Sequence, residues 1–348
     1  MPSTSLLPPD QNTVKTAICF GNDRNYLDYT LVTIQSIIEH SSPDYYYDIV
    51  ILGTDCSDRE EMFQPLLSKN VSVRIFDMDP YIEKFGMRNF YVTGNFPMAA
   101  YFRFFIPEIF SEYDKVLYLD SDVLVCDDVK NLLNENLDDS LLGCMHMGAP
   151  KVRWGYLKNR LGVSPEQYFC AGVLLYNVKE CRQFDLSNKC VAKLLELVDP
   201  PFLDQDVLNS VTVSKTKNLP LRWQFLTEVL KPKTLKKREN FSDLLAKAQN
   251  PGIIHYAGAK PWNEDRLALA ELWWKTADST PLGPSLRLRL ERRRSDTLAE
   301  AVSLMGRPWM FLTYAFYKAV TLLATGERRK EYKRRAKLLK YIIRHGVR

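Results

Sequence analysis

Short apolar runs alternate along most of the chain with segments in which apolar residues recur every three or four positions. The runs predict strands at Val14–Phe20, Tyr47–Leu52, Val71–Phe76, Lys115–Leu119, Leu141–His146, Val173–Asn177 and Ile253–Tyr256. The periodic segments predict helices at Leu27–Glu39, Asp58–Leu67, Ala99–Phe110, Val178–Val198 and Gln205–Val211. We expect Ser57 or Asp58 to cap the second helix and Pro107 to bend or split the third. This alternation predicts an α/β fold with a mostly parallel central sheet.

The pattern changes after Trp274. The following stretch Ser279–Pro284 is rich in turn-forming residues and indicates a linker. It separates a predicted catalytic domain, residues 1–278, from a helical region at residues 285–348. From Pro284 onward the net charge is +12, whereas the rest of the chain carries −7. One helix face collects Lys333, Lys337, Lys340 and Arg344, beside an apolar stripe of Tyr332, Ala336, Leu339 and Ile343. The tail therefore predicts an anionic partner.

The composition is that of a globular protein, with 46% apolar and 26% charged residues. The seven cysteines are odd in number and none forms a C-x-x-C pair, which favours buried thiols in a reducing compartment. Met1–Gln11 lacks the charged and apolar regions of a signal peptide. Lys318 interrupts the nearest approach to a membrane-spanning stretch, Pro308–Thr325. We therefore expect a cytoplasmic protein.

The sharpest chemical signal is the segment Asp120-Ser121-Asp122, which directly follows an apolar strand and precedes Val123-Leu124-Val125. Carboxylates are costly at the end of a buried strand unless a partner compensates their charge. A divalent cation can do so and can in turn bind phosphate oxygens. The alternative is a solvated turn after the strand.

A second polar group follows the late strand, in His255-Tyr256-Ala257-Gly258-Ala259-Lys260. His255 can supply a nitrogen ligand to the metal held by the two aspartates, and such a ligand set favours Mn²⁺, with Mg²⁺ possible. Gly258 permits close backbone approach to a ligand, and Lys260 can meet a pyrophosphate. The alternative for His255 is a satisfied structural histidine.

Three further segments carry weaker signals. The cluster Asp204-Gln205-Asp206 forms either a polar wall for sugar hydroxyls or the N-cap of a helix. Arg103 lies in an aromatic run, either as a sugar or phosphate contact or as a snorkelling core residue. After the first strand, a loop could hold a base or ribose or form a plain turn; its polar residues are Asp23, Asn25 and Tyr26.

Taken in order, these segments resemble glycosyltransferase family 8, which includes bacterial lipopolysaccharide glucosyl- and galactosyltransferases. The resemblance covers roughly Lys15 to Asp265. It rests on Asp-x-Asn-Tyr, Ala-Tyr-x-Arg, Tyr-Leu-Asp-x-Asp-Val-Leu-Val, Ala-Gly-Val-Leu-Leu, Asp-Gln-Asp and His-Tyr-x-Gly-x-Lys-Pro-Trp. The resemblance implies a GT-A fold, a UDP-hexose donor, Mn²⁺ and retention of the anomeric configuration.

The resemblance also implies roles for individual residues. Asp23, Asn25 and Tyr26 would contact the uracil and ribose end, Asp120, Asp122 and His255 the metal, and Gly258 and Lys260 the diphosphate. Arg103, Asp204 and Gln205 would contact the donor sugar, with Gln205 and Asp204 as the candidate catalytic residues; Ser121, Cys170 and Ala171 complete the candidate UDP-sugar site. Cys170 departs from the family, which often has Asn there, so the identity of the donor sugar is open.

Several hypotheses follow for the whole protein. The first is a retaining hexosyltransferase that acts on a lipid-linked saccharide acceptor in the synthesis of lipopolysaccharide or another cell-surface glycan. Because Gln205 is a poor nucleophile, same-face attack is favoured over a carboxylate nucleophile. The alternatives are an aspartate-dependent phosphatase using Asp120 and Asp122, or a non-catalytic sugar-nucleotide-binding protein. The basic tail predicts a peripheral position at the inner face of the cytoplasmic membrane, and no nucleic-acid partner is expected.

Overall fold

We describe the fold from a computed structural model, which describes residues 16–90, 98–230, 250–264, 267–303 and 307–345. The chain divides into two compact units. The first comprises Met1–Pro261 and Arg266–Thr280, and the second comprises Trp262–Asp265 and Pro281–Arg348. Val14, where the first strand is predicted to begin, and Asp265 lie outside the described residues.

A seven-stranded sheet forms the centre of the first unit, in the order β3-β2-β1-β4-β7-β6-β8. Its strands are β1 (Thr16–Asn22), β2 (Tyr47–Gly53), β3 (Val71–Asp77), β4 (Lys115–Leu119), β6 (Leu142–His146), β7 (Phe169–Asn177) and β8 (Thr216–Asn218). The pairs β1–β2, β2–β3, β1–β4 and β6–β8 are parallel, whereas β7 runs antiparallel to β4 and β6. The mostly parallel sheet and the α/β class are thus confirmed.

A second, three-stranded sheet has the order β5-β10-β9 and was not predicted. It comprises β5 (Val123–Val125), β9 (Phe225–Leu226) and β10 (Ile253–His255). β10 pairs antiparallel with β5 and parallel with β9. This small sheet matters for the site because only three residues separate the end of β4 at Leu119 from the start of β5.

Helices flank these sheets. The α-helices of the first unit are α1 (Leu27–Glu39), α2 (Asp79–Lys84), α3 (Ile106–Ile109), α4 (Lys130–Leu133), α5 (Trp154–Tyr156), α6 (Val178–Gln183), α7 (Leu186–Leu197), α8 (Leu203–Val211) and α9 (Ala270–Ser279). Those of the second unit are α10 (Gly283–Ser303), α11 (Arg307–Leu323) and α12 (Gly326–His345).

Three helix predictions need correction. The segment predicted as Val178–Val198 is two helices, α6 and α7, because Asp185 takes a left-handed φ of 60° between them. Ser57–Leu66 is a 3₁₀ helix that contains Pro65, and its N-cap is Cys56 rather than Ser57 or Asp58. The predicted helix Ala99–Phe110 is a 3₁₀ helix, Met98–Phe105, followed by α3, whose first turn holds Pro107.

The core lies between the central sheet and these helices. Strand β2 is buried at every position, and β7 at every position but its last. Strands that are buried along nearly their whole length are typical of a sheet covered on both faces. All seven cysteines are free, and six of them are buried, as predicted.

In the second unit, α11 and α12 pack against each other. The rings of Tyr317 and Tyr332 lie 6.1 Å apart, and Nη1 of Arg335 donates a hydrogen bond to the Tyr317 hydroxyl at 3.2 Å. The side chains of Leu339, Ile343 and Arg344 lie outside those the structure describes. Among the described residues, no helix combines the length and apolar character needed to cross a membrane.

Candidate active site

The two sheets meet at a cluster of ionisable side chains. Asp120, Ser121 and Asp122 form the link between β4 and β5, and His255 lies opposite Val123 in the β5–β10 pairing. Nε2 of His255 is 3.2 Å from Oδ1 of Asp122 and 3.8 Å from Oδ2 of Asp120. Two segments more than 130 residues apart thus meet at the carboxyl end of β4.

Two cations balance the carboxylates. Nη2 of Arg103 lies 2.8 Å from Oδ1 of Asp120, and its Nη1 lies 3.1 Å from Oδ2 of Asp204. The ammonium of Lys260 contacts Oδ2 of Asp122 and donates to the carbonyl of Tyr256 at 3.1 Å. Arg103 is therefore a paired, buried guanidinium and not a snorkelling side chain, which corrects that alternative.

The charges shift the pKa values of the buried groups. Burial disfavours a charged His255, but the neighbouring Asp122 and Cys170 together outweigh burial and raise the pKa of His255 to about 10. For Asp122, burial is likewise outweighed, and Lys260 and His255 hold its pKa well below the ordinary value. Burial raises the pKa of Asp204 to about 7, although Arg103 opposes the shift. The cluster is therefore strongly coupled electrostatically.

The residues present fit a divalent metal ion. One ligand atom each from Asp120, Asp122 and His255 lie within 4.8 Å of one another. Oδ1 of Asp122 is buried and makes no hydrogen bond in the described part of the chain, so one of its lone pairs is available to bind a metal ion. The lack of a side chain at Gly172 leaves room for His255 and Asp120 to approach each other, because a Cβ there would overlap His255 and lie 2.8 Å from Oδ2 of Asp120. Oxygen and imidazole donors together suit Mn²⁺ or Mg²⁺.

Ser121 has a supporting rather than a solvent-facing position. Its hydroxyl accepts from Nδ2 of Asn22 at 3.0 Å and from the Thr30 hydroxyl at 2.8 Å. Its carbonyl accepts from the hydroxyl of Thr33 at 3.0 Å. Asn22 ends β1, and both threonines lie on α1, so these bonds fix the Asp-Ser-Asp link against the sheet. The supporting residues were not predicted from the sequence.

Gln205 is held at both ends of its carboxamide. Its Oε1 accepts from the backbone N–H of Ala171 at 3.1 Å, and its Nε2 donates to the hydroxyl of Tyr168 at 2.9 Å. That hydroxyl donates in turn to the fully buried carboxylate of Asp206 at 2.5 Å. Tyr168 carries no pattern that would have identified it in the sequence.

Of the two aspartates considered as capping groups, Asp206 satisfies a free backbone amide at the start of α8. The N-cap of α8 is Phe202, whose backbone N–H donates to Asp206, whereas Asp204 pairs with Arg103. Nη1 of Arg103 also donates to the Ala171 carbonyl at 2.6 Å. The arginine thus joins Asp120, Asp204 and Ala171 in one connected group.

The remaining predicted residues lie in the loop after β1, in the loop after β10 and in β7. Asp23 accepts from the backbone N–H of Asn25 at 2.7 Å, which is a local turn bond, and Asn25 is exposed. Tyr26 is half-buried, and its pKa is raised by burial while Lys260 opposes the rise. Gly258 has a φ of 89°, a left-handed conformation that favours glycine. Sγ of Cys170 lies 3.7 Å from Nδ1 of His255.

Comparisons with known proteins agree with this fold. Residues 17–266 match the family model for glycosyl transferase family 8. Glycosyltransferase GlyB of Streptococcus pneumoniae is 25% identical, over 74% of this chain and 60% of its own length. The lipopolysaccharide 1,2-glucosyltransferase of Escherichia coli K12 is 26% identical, over 81% of this chain and 85% of its own. The crystal structure of galactosyltransferase LgtC with donor and acceptor sugar analogs is 25% identical with a TM-score of 0.61, covering 76% of this chain and 96% of that one.

The fold is therefore that of the GT-A glycosyltransferases. The chain belongs to glycosyl transferase family 8, whose model matches well over half of it. This chain spans about three fifths of the length of the pneumococcal relatives GlyB and GlyF.

Proposed function

We propose that this protein is a metal-dependent, retaining glycosyltransferase that moves glucose or galactose from a UDP-sugar to a saccharide acceptor. The observation that carries the proposal is the meeting of Asp120, Asp122, His255 and Lys260 at the carboxyl end of β4. The names of the relatives, a lipopolysaccharide glucosyltransferase and a galactosyltransferase, support a hexose donor and an acceptor in cell-surface glycan synthesis.

The departing diphosphate is the group that needs stabilisation, because the reaction breaks the bond between the anomeric carbon and a UDP oxygen. Asp120, Asp122 and His255 would hold the metal, which when bound neutralises that diphosphate as a Lewis acid. Lys260 would add a positive charge at the edge of the site, since its side chain is 17% exposed. The left-handed backbone at Gly258 would let the diphosphate approach closely.

The side chains on the sugar side favour same-face attack. Both ends of the Gln205 carboxamide are hydrogen-bonded, and the Asp204 carboxylate is buried against Arg103. Neither is free to form a covalent bond with the sugar. In the proposed step the acceptor hydroxyl forms the new bond from the face that UDP leaves, and its proton passes to a diphosphate oxygen. Gln205 and Asp204 would orient the donor sugar for this step.

The test is the release of UDP from UDP-glucose and UDP-galactose, measured with Mn²⁺, with Mg²⁺ and with EDTA. We expect release that depends on the metal and is faster with one of the two donors. Hydrolysis of p-nitrophenyl phosphate is measured in parallel. Phosphatase activity without UDP release would contradict the proposal and favour Asp120 as a phosphoryl acceptor. UDP-sugar binding without turnover would favour a non-catalytic binding protein.

The second unit supports a further proposal, that the enzyme binds the anionic inner face of the cytoplasmic membrane and acts on a lipid-linked acceptor. On α11, Leu312, Phe316 and Leu323 are exposed and lie on one side of the helix. On α12, three lysines on one face are exposed, namely Lys333, Lys337 and Lys340. Apolar side chains beside a basic face are typical of helices that lie in a membrane interface.

We expect Lys333→Gln, Lys337→Gln and Lys340→Gln together to weaken binding to vesicles of phosphatidylglycerol and phosphatidylcholine by about 100-fold. The reason is that each lysine near an anionic surface contributes about 1 kcal/mol. The measurement is co-sedimentation with vesicles at low salt. The matched control replaces three exposed lysines of the first unit, Lys69, Lys179 and Lys189, by Gln. Equal loss in both triple variants would contradict the proposed surface.

A further inference from the structure

A glutamine outside every recognised motif contacts His255. Nε2 of Gln224 lies 3.1 Å from Nδ1 of His255, the ring nitrogen opposite the one that faces Asp120 and Asp122. Gln224 is 1% exposed and His255 is 3% exposed, so water does not compete for this contact. A buried amide at hydrogen-bond distance from an imidazole determines which of the two ring nitrogens carries a proton.

The fold explains how this glutamine reaches the site. Gln224 ends a short 3₁₀ helix and immediately precedes β9. Since Leu226 pairs with His255 and Phe225 with Ile254, Gln224, which directly precedes β9, lies beside the end of β10. From there its side chain reaches His255. The β9–β10 pairing therefore positions the carboxamide at Nδ1.

The carboxamide is not fully satisfied as it stands. Its Oε1 is buried and has no hydrogen-bond partner in the described part of the chain. The two ends of a carboxamide are nearly equal in size, so a half-turn brings Oε1 to Nδ1 without moving neighbouring atoms. Only in that orientation can the amide accept a proton from Nδ1, and a metal-binding Nε2 requires the proton to be on Nδ1.

We propose that Gln224 is a positioning residue for the metal site: its carboxamide oxygen accepts a hydrogen bond from Nδ1–H of His255. This bond leaves the lone pair of Nε2 directed at the space between Asp120 and Asp122. The inference rests on the proposed metal site. Cys170 also approaches Nδ1, but at 3.7 Å and with a thiol, which is a weak acceptor. Gln224 is therefore the group that fixes the ring.

Direct Mn²⁺ binding to the full chain, followed by the electron paramagnetic resonance of free Mn²⁺, tests the proposal without any turnover. We expect Gln224→Met, which keeps the length of the side chain but removes the acceptor, to weaken binding about 10- to 100-fold. Gln224→Glu should bind at least as tightly as the wild type, because a carboxylate restores the acceptor. The matched control is Gln183→Met, at an exposed glutamine that ends α6.

Each result separates this inference from the proposed function. Equal Mn²⁺ affinity in wild type and Gln224→Met would overturn the role of Gln224 and leave the metal site standing. If Gln224→Glu loses as much Mn²⁺ affinity as Gln224→Met, the proposed role of Gln224 would be overturned as well. A wild-type chain that binds no Mn²⁺ would overturn the metal site and the inference together.

A spectroscopic measurement on the wild type covers the case in which Gln224→Met does not fold. The ring nitrogens of His255 are observed by ¹⁵N NMR with Zn²⁺ as a diamagnetic probe and assigned by comparison with a His255→Gln variant. Only four histidines are present, so the ring signals are few. We expect the proton on Nδ1 and the metal on Nε2. A proton on Nε2, or metal on Nδ1, in the Zn²⁺-loaded protein would overturn the proposal.

Discussion

Asp122→Asn is expected to lower metal-dependent UDP release at least about 10³-fold. The oxygen Oδ1 of Asp122 is buried, makes no hydrogen bond in the described part of the chain and lies 3.2 Å from Nε2 of His255, so it is placed to bind a metal beside the imidazole. Replacing the carboxylate by an amide removes one negative charge from the ligand set and leaves Lys260 without its counter-ion. A metal ion contributes several kcal/mol to charge stabilisation in the transition state, and each 1.4 kcal/mol is tenfold in rate.

The control for this change is Asp138→Asn. Asp138 is an exposed aspartate that pairs with Lys217 at 3.0 Å, and asparagine tolerates its left-handed φ of 50°. We expect wild-type UDP release from the control and a near-complete loss in wild type treated with EDTA. An Asp122→Asn enzyme that keeps more than a tenth of the Mn²⁺-dependent rate would contradict the assignment of Asp122 as a ligand. Thermal unfolding of both variants separates loss of metal from loss of fold.

The elements that sequence reasoning predicted well are those whose signal is local. Helix α1 has the predicted bounds, and β4 does too, because each carries a strong period over its own length. The second sheet escaped prediction because β5 and β9 have three and two residues, too few to show an alternation. The break between α6 and α7 escaped it as well, since a left-handed aspartate leaves the helical period intact on both sides.

The same distinction applies to the candidate site. Asp120 and Asp122 were found because only Ser121 separates them and they follow a strand, and the structure brings His255 to them. Gly172, Tyr168 and Gln224 act through contacts between distant elements. Gly172 lies in the Ala-Gly-Val-Leu-Leu segment, but that segment does not reveal its contact with His255, and Tyr168 and Gln224 carry no local pattern. A glutamine that orients a histidine is indistinguishable in sequence from one on a surface. Such supporting residues become visible only when the strand pairing is known.

Arg103→Met is expected to lower the free energy of unfolding by about 3–5 kcal/mol, the usual cost of removing one partner from a buried ion pair. Arg103 is 5% exposed, and its guanidinium stacks 4.2 Å from the centre of the Tyr118 ring. Methionine keeps much of the volume but leaves the buried carboxylate of Asp204 without a cation. The measurement is urea unfolding of the metal-free protein, and Arg88→Met, at an exposed arginine of an exposed ion pair, is the control.

The pH dependence of this loss identifies its cause. In the wild type, burial already raises the pKa of Asp204 to about 7. Arg103 is the group that lowers this pKa most, so the pKa should rise further when Arg103 is removed. A carboxyl group whose pKa is raised on folding destabilises the native state increasingly as pH rises from about 4 to its native pKa. The loss of unfolding free energy in Arg103→Met, relative to the wild type, should therefore be larger at pH 8 than at pH 5. The double variant Arg103→Met/Asp204→Asn removes the buried charge of Asp204, so part of the free energy of unfolding should return and the pH dependence of its loss should largely vanish. A deficit that is the same at both pH values and unchanged by Asp204→Asn would show that Arg103 stabilises the fold through packing and its backbone hydrogen bonds instead.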